Sequence, residues 1–248
     1  MLKLGEQKIE GLALGEQEIK KAYLGDNLVF SAAKLSRLPE GYTEVQYINN
    51  PTSTNGMCID TGIYFDWSED VIYEMDFDVL TVDSTLGADF MFAHSAYDRD
   101  KNGKYIFYYG TEVYTRNNTV WFNCWDSKKA NQASSYVSFG MNTGRHLAKL
   151  DCKNVTLTID DVAHKVSMDP VAPYFSQSKV TLKIMGNPRT DRNYCLNGNL
   201  YSFKAYSRES ILHDFVPCTN LTGVVGLYDI VEDKFIQPNG VFIAGPAV

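Results

Sequence analysis

The sequence predicts an all-β protein, and three observations carry that prediction. Apolar and polar residues alternate along short segments: in Val71 to Val79, the residues Val71, Tyr73, Met75, Phe77 and Val79 fall on one face. Gly, Asn, Asp and Pro, which favour turns, punctuate these segments at close spacing. No amphipathic helix longer than a turn or two is visible, and Ser207 to Leu212 is the one short candidate. Many short strands at such spacing assemble as a sandwich or a barrel.

The chain opens on a repeat. Leu4-Gly5-Glu6-Gln7, Leu14-Gly15-Glu16-Gln17 and Leu24-Gly25-Asp26-Asn27 follow one another at ten-residue steps. Glycine tolerates positive φ, and acidic and amide residues tolerate an exposed turn, so each Gly marks a turn between very short strands. Ile19 to Leu24 alternates, with Ile19, Lys21 and Tyr23 on one face and Lys20, Ala22 and Leu24 on the other. A meander this small is marginal by itself. It must pack on the body of the chain, on copies of itself or on another protein. Leu4, Ile9, Leu14, Ile19, Tyr23, Leu24 and Val29 are placed to make that contact. Residues 1–31 are expected to be an attachment and oligomerisation segment, 32–38 a linker, and 39–248 one large sandwich.

In the body, strands are expected at Val71 to Val79, Lys104 to Tyr109, Thr119 to Trp125, Arg145 to Cys152, Val180 to Met185 and Asn199 to Tyr206. Val155 to Ile159 and Val162 to Val166 flank Asp160-Asp161, a hairpin signature. Tyr97, Asp98 and Arg99 fall in an expected loop, Gly62 and Gly198 at expected turns, and Pro217 at a strand edge or end.

Composition narrows the function. A body of this size buries its own core without staples. The net charge of −7 and the lack of a Lys/Arg cluster argue against nucleic acid and anionic membranes as partners. No segment approaches the ~20 apolar residues of a membrane span. The N-terminal stretch is broken by Glu6, Lys8 and Glu10 and lacks the apolar core of a signal peptide, so folding in a cytoplasm is expected. Cys58, Cys124, Cys152, Cys195 and Cys218 are odd in number, dispersed and never spaced Cys-x-x-Cys. They are expected to be buried free thiols, not zinc ligands.

Two segments carry a family resemblance. One is Leu38-Pro39-Glu40-Gly41-Tyr42-Thr43-Glu44-Val45-Gln46-Tyr47-Ile48, running on to Cys58-Ile59-Asp60-Thr61-Gly62. The other is Asn197-Gly198-Asn199-Leu200-Tyr201-Ser202-Phe203-Lys204-Ala205-Tyr206, then His213-Asp214-Phe215-Val216-Pro217-Cys218 and Gly226-Leu227-Tyr228-Asp229-Ile230. From Leu38 to the C-terminus the chain resembles the laminin G-like modules of the concanavalin A-like lectin/glucanase superfamily. The resemblance implies a jelly-roll β-sandwich of two curved antiparallel sheets. Such modules are frequent in structural proteins of phages of gut bacteria and in surface proteins of their hosts. The Leu-Gly-acidic repeats, ending in Leu28-Val29-Phe30, resemble short attachment segments of phage tail, baseplate and fibre proteins. Together these imply a virion structural protein, a head fibre or a tail-fibre or baseplate component, assembled in the host cytoplasm. It would be a homotrimer held to another virion protein through residues 1–31. The alternative is a carbohydrate-binding module of a bacterial surface protein.

The superfamily includes laminarinase-type glycoside hydrolases, whose catalytic strand reads Glu-x-Asp-x-x-Glu or Glu-x-Asp-x-Glu. Here Glu74-Met75-Asp76-Phe77-Asp78 sets three carboxylates on one face, but the last is Asp, which shortens the reach of an acid/base. Carboxylates opposite an apolar face also describe any solvated sheet. Ser95 beside His94, and Asp214 beside His213, are strand neighbours that point apart, and Gly-x-Ser-x-Gly is missing. Asp160-Asp161 and Asp98 to Asp100 lack the loop of a calcium site. No catalytic residue, metal or cofactor is expected. Glycan binding is the activity left. On Thr119 to Trp125, the residues Trp121, Asn123 and Trp125 share one face, with Val120, Phe122 and Cys124 on the other and Tyr97 nearby in sequence. Aromatic plates stack on pyranose C–H groups and Asn offers a donor and an acceptor. The same set also suits a subunit interface.

Overall fold

In the computed structural model, side chains are described for residues 37–50, 57–64, 70–80, 91–93, 111–116, 119–123, 136–165, 181–186, 195–207 and 210–248. Backbone pairing is also described for strand residues within 3–31, 89–99, 105–116, 119–125 and 133–140. The chain divides into two compact units, Met1–Pro39 and Glu40–Val248.

In the first unit, β1 (Lys3–Leu4) pairs with β2 (Gln7–Lys8), β3 (Ala13–Leu14) with β4 (Gln17–Glu18), and β5 (Lys21–Leu24) with β6 (Asn27–Ser31). The register sets Leu4 opposite Gln7, Leu14 opposite Gln17 and Leu24 opposite Asn27. Each hairpin therefore closes over a Gly-acidic dipeptide, a composition suited to a two-residue connection with glycine first. Among the described residues these are three separate two-stranded sheets, where the sequence suggested one meander. Ile9 and Ile19 lie outside the described residues, as do the side chains of Leu4, Leu14, Tyr23, Leu24 and Val29.

The second unit is a two-sheet antiparallel sandwich. Its strands begin with β7 (Tyr42–Glu44), β8 (Ile48–Asn50), β9 (Ile59–Tyr64) and β10 (Ile72–Val79). There follow β11 (Asp89–Arg99), β12 (Tyr105–Arg116), β13 (Thr119–Trp125) and β14 (Ala133–Gly140). Next come β15 (Gly144–Asp151), β16 (Thr156–Ile159), β17 (Val162–Lys165) and β18 (Thr181–Ile184). The last are β19 (Gly198–Ser207), β20 (Ser210–Asn220), β21 (Val225–Asp229), β22 (Lys234–Ile236) and β23 (Ile243–Ala244). The first sheet runs β17-β16-β15-β10-β19-β20-β21-β22, with β7 on β20 and β8 joining β19 to β23. The second runs β14-β13-β12-β11-β18-β9. The chain changes sheet after β8, β9, β10, β14, β17 and β18, the crossing pattern of a jelly-roll.

The core lies between the sheets. Val71, Tyr73, Met75, Phe77 and Val79 are each at most 5% exposed, as the alternation requires. Phe203 on β19 is the hub: its ring lies 6.1 Å from Tyr73, 5.6 Å from Phe215 and 6.3 Å from Phe92 on the facing sheet. Asp160 and Asp161 take φ of 48° and 67°, the left-handed pair that a type I′ turn needs, and Ile159 pairs with Val162 across them. Cys58, Cys152, Cys195 and Cys218 are buried thiols outside any disulfide, and burial pushes the Cys58 and Cys218 thiols up to about 12.

Four local expectations change. Tyr97, Asp98 and Arg99 belong to β11, not to a loop. Ser207 to Leu212 is no helix: Ser207 and Ser210 pair as the β19–β20 hairpin, because six residues of mixed polarity fit either period and the neighbouring strands decide. Pro217 lies inside β20, flanked by β21 on one side. On the other side it sits where β19 gives way to β7, and its carbonyl accepts from the Val45 N–H. A missing N–H is tolerated at that junction. Gly198 is the first residue of β19 and is required for close approach, since a Cβ there would meet the Asp78 carbonyl oxygen at 1.8 Å.

That contact yields a test of the packing. Gly198→Ala should lower unfolding stability by about 3 kcal/mol, within the range for forced overpacking, read from the urea midpoint. A midpoint equal to that of the parent would contradict this placement of β19 on β10.

Candidate functional site

On β13, Val120 and Phe122 enter the core, so Trp121 and Asn123 face outward. Register builds a patch around them. Trp121 lies between Tyr114 of β12 and Ser138 of β14, and Asn123 between Glu112 and Tyr136. The Trp121 and Tyr136 rings are 5.5 Å apart and tilted by 34°. The Asn123 amide donates to the Tyr114 hydroxyl at 3.0 Å. Glu112 and Asn123 are each 4% exposed, although they lie on the face turned from the core, while Tyr136 is 59% exposed. The patch thus has a polar, buried floor and an aromatic rim.

Of the residues singled out in the sequence, Trp121 and Asn123 come together here. Backbone pairing sets Trp125 opposite Gly110 and Ala133, and Tyr97 opposite Tyr108; their side chains lie outside the described residues. Sequence reasoning missed Glu112, Tyr114 and Tyr136. The signal for Glu112 was local, because it alternates with Val113 in the strand that precedes β13. Tyr136 is found only through pairing.

The same row crosses the sheet from Glu112 to Ala93, Lys183 and Asp60. Lys183 bonds Asp60 at 2.9 Å and also donates to the Thr181 carbonyl and hydroxyl. The Thr61 hydroxyl donates to the Leu182 carbonyl at 2.8 Å and ties β9 to β18. Burial pushes the Asp60 carboxyl up, but hydrogen bonds from Thr181, Lys183 and the Gly62 N–H outweigh this and hold it below its ordinary 3.8.

The outer face of the first sheet carries the three β10 carboxylates together, as period two requires. Each is engaged. Glu74 binds Lys149 at 3.1 Å and accepts from the Tyr206 hydroxyl at 3.0 Å. Asp76 takes a two-point clamp from Arg145 at 2.8 and 2.7 Å. Asp78 accepts from the Tyr201 hydroxyl and, at 2.9 Å, from the Asn199 amide. Burial and the Glu74 carboxylate push the Tyr206 phenol up to about 12. A glycosidase pair needs two carboxyls facing one open gap, and here cations and donors from β15 and β19 fill those positions. His213 binds Asp229 at 2.6 Å, not its sequence neighbour Asp214, and Asp229 also accepts from the Asp214 and Val231 N–H groups. Asp160 is used by His146 at 2.7 Å and by the Leu147 N–H at 3.0 Å. Among the described residues no group of three His, Cys, Asp or Glu is placed to hold a metal.

No family model matches the chain, and no curated protein matches it. Among solved structures it is similar to the Ruminococcus gnavus IT-sialidase CBM40 bound to α2,3-sialyllactose. The identity is 9%, the TM-score 0.38, and the match covers 68% of this chain and 89% of that one. The same module bound to α2,6-sialyllactose gives the same values. The fold described above stands on its own strand pairing.

The Asp60 environment predicts an acid dependence. Its folded carboxyl binds a proton less readily than the unfolded one, so it contributes stability above about pH 4 that is lost as pH falls through the lower folded value. Between about pH 5 and pH 2.5 the urea midpoint of Asp60→Asn should fall less than that of the parent. Parallel slopes would show that the Asp60–Lys183 contact contributes nothing.

Proposed function

We propose that this protein is a non-enzymatic display protein of a tailed-phage particle, fixed by its N-terminal repeats and presenting its sandwich to host or mucosal glycans. One observation carries the glycan reading: Trp121 and Tyr136 rim a floor made by Glu112 and Asn123 on the sheet face turned from the core. Stacking surfaces beside a carboxylate and an amide are what a sugar ring needs, since it offers C–H patches and hydroxyls together.

The attachment reading rests on the head. Three hairpins with strands of two to five residues close at the same point of a ten-residue repeat. Isolated two-stranded hairpins are marginal in water, so they gain stability by adding strands from outside the unit. A homotrimer that interleaves these strands and docks on another virion protein meets that need. The resemblance of repeats and body, taken together, is what supports a place in the virion as a head fibre or a tail-fibre or baseplate component.

On a glycan array, Trp121→Ala should weaken at least one neutral or host-type glycan signal about tenfold, equivalent to about 1.4 kcal/mol. An array silent for the parent protein would end the glycan reading. Light scattering should give three times the chain mass for the full chain and the monomer mass after removal of residues 1–31. A full-length monomer would dispose of the trimeric head and favour a module of a bacterial surface protein.

A further inference from the structure

We propose that the outer face of the first sheet carries a second saccharide site, formed by Tyr47, Asn49, Asp78, Arg145, Asn199 and Tyr201 and suited to neutral sugars with vicinal hydroxyls. It shares the carbohydrate class of the reading above and none of its residues.

The six side chains come from three core-paired strands, β10, β15 and β19, from β8, and from the residue just before β8. They hold one another in place. The Asn49 amide donates to the Asn199 side-chain oxygen at 2.6 Å, and Asn199 donates in turn to Asp78 at 2.9 Å. The Tyr201 hydroxyl donates to the same Asp78 oxygen, Oδ2. The Arg145 guanidinium lies 4.0 Å above the Tyr201 ring, and the Tyr47 ring meets Tyr201 edge-on at 5.5 Å. Arg145 is 58% exposed, yet its Nε and Nη2 are clamped by Asp76. An exposed arginine ordinarily samples many rotamers, and here the stack and the clamp remove most of that freedom before any ligand arrives.

The remaining hydrogen-bonding capacity is the informative part. Among the described residues, Asp78 Oδ1, Asn49 Oδ1 and Arg145 Nη1 have no protein partner. Two acceptors and a planar donor beside tyrosine rings match a vicinal diol, whose hydroxyls donate to the acceptors while an oxygen accepts from the guanidinium. Charge sets the class. Asp76 and Asp78 outweigh the single Arg145, so a carboxylated sugar meets net repulsion and a neutral one does not. The two sites lie on opposite outer faces of the sandwich, so one chain can bridge two glycans, with the avidity gain that linked sites allow.

Saturation-transfer NMR on the full chain tests this, with gluco-, manno- and galacto-configured tetrasaccharides as probes and sialyllactose as the anionic control. In the Trp121→Ala protein at least one neutral probe should keep its signal while sialyllactose gives none. Adding Arg145→Ala or Asn49→Ala should then weaken that probe about tenfold with little change in unfolding midpoint, because the Arg145–Asp76 pair is exposed. Arg145→Lys keeps a charge beside Asp76 but lacks the planar fork, and it should weaken the probe as well. A Trp121→Ala protein silent to every neutral probe would overturn the second site and leave the Trp121 face standing. So would a retained signal indifferent to Arg145→Ala and Asn49→Ala. Binding lost through Arg145→Ala and untouched by Trp121→Ala would instead remove the Trp121 face and keep this one. A parent protein that binds none of the neutral probes would also overturn the second site, whereas the Trp121 face is decided by the glycan array.

Discussion

Phe203 fixes the spacing of the sandwich. Its ring contacts Tyr73 and Phe215 within its own sheet and Phe92 across the gap. Full burial of one such ring is worth about 2–3 kcal/mol. Its larger effect is geometric, because it sets the register of β19 against β10 and β20. Met75 faces Phe203 on one side and Phe215 faces it on the other. A slip of one residue would turn every inward side chain of β19 to solvent.

That inner register dictates the outer faces. Leu200 is inside, so alternation sets Asn199 and Tyr201 outside, within reach of Asp78, and the register shift opposite Asp76 and Phe77 then returns Phe203 to the core. Likewise Val120 and Phe122 inside put Trp121 and Asn123 outside, beside Tyr114 and Glu112. The polar chemistry on each face is therefore held by apolar packing one residue away. Gly198 adds to this on β19: its lack of a Cβ lets β19 close on the Asp78 backbone and brings Asn199 to the Asp78 carboxylate.

The outer faces divide charge differently. The first sheet alternates signs across its strands, with Lys149, Glu74, Lys204 and Asp214 in one row. Lys149 closes on Glu74 at 3.1 Å, whereas Lys204 and Asp214 stand 3.9 Å apart, and among the described residues one buried Asp214 oxygen has no hydrogen-bond partner. The second sheet gathers aromatic rings around a buried carboxylate and amide instead. Opposite charges in register across strands stabilise the pairing of the first sheet.

The sequence by itself determined what depends on neighbours in the chain. Period-two alternation placed β10 and β13 and their inward residues, the Asp160-Asp161 pair announced its hairpin, and the Leu-Gly-acidic steps marked three hairpin closures. These are short-range properties of L-residues and of the pleat. Tertiary structure alone decided which strands lie side by side, and hence who partners the exposed side chains. Arg145 reaches Asp76 across 69 residues and Asn199 reaches Asp78 across 121. Tyr136 joins Trp121 only because β14 pairs with β13. Pairing is set by the fit of the whole core, which no local pattern encodes. The residue types of both candidate faces were therefore visible in the sequence, and their assembly into sites was not.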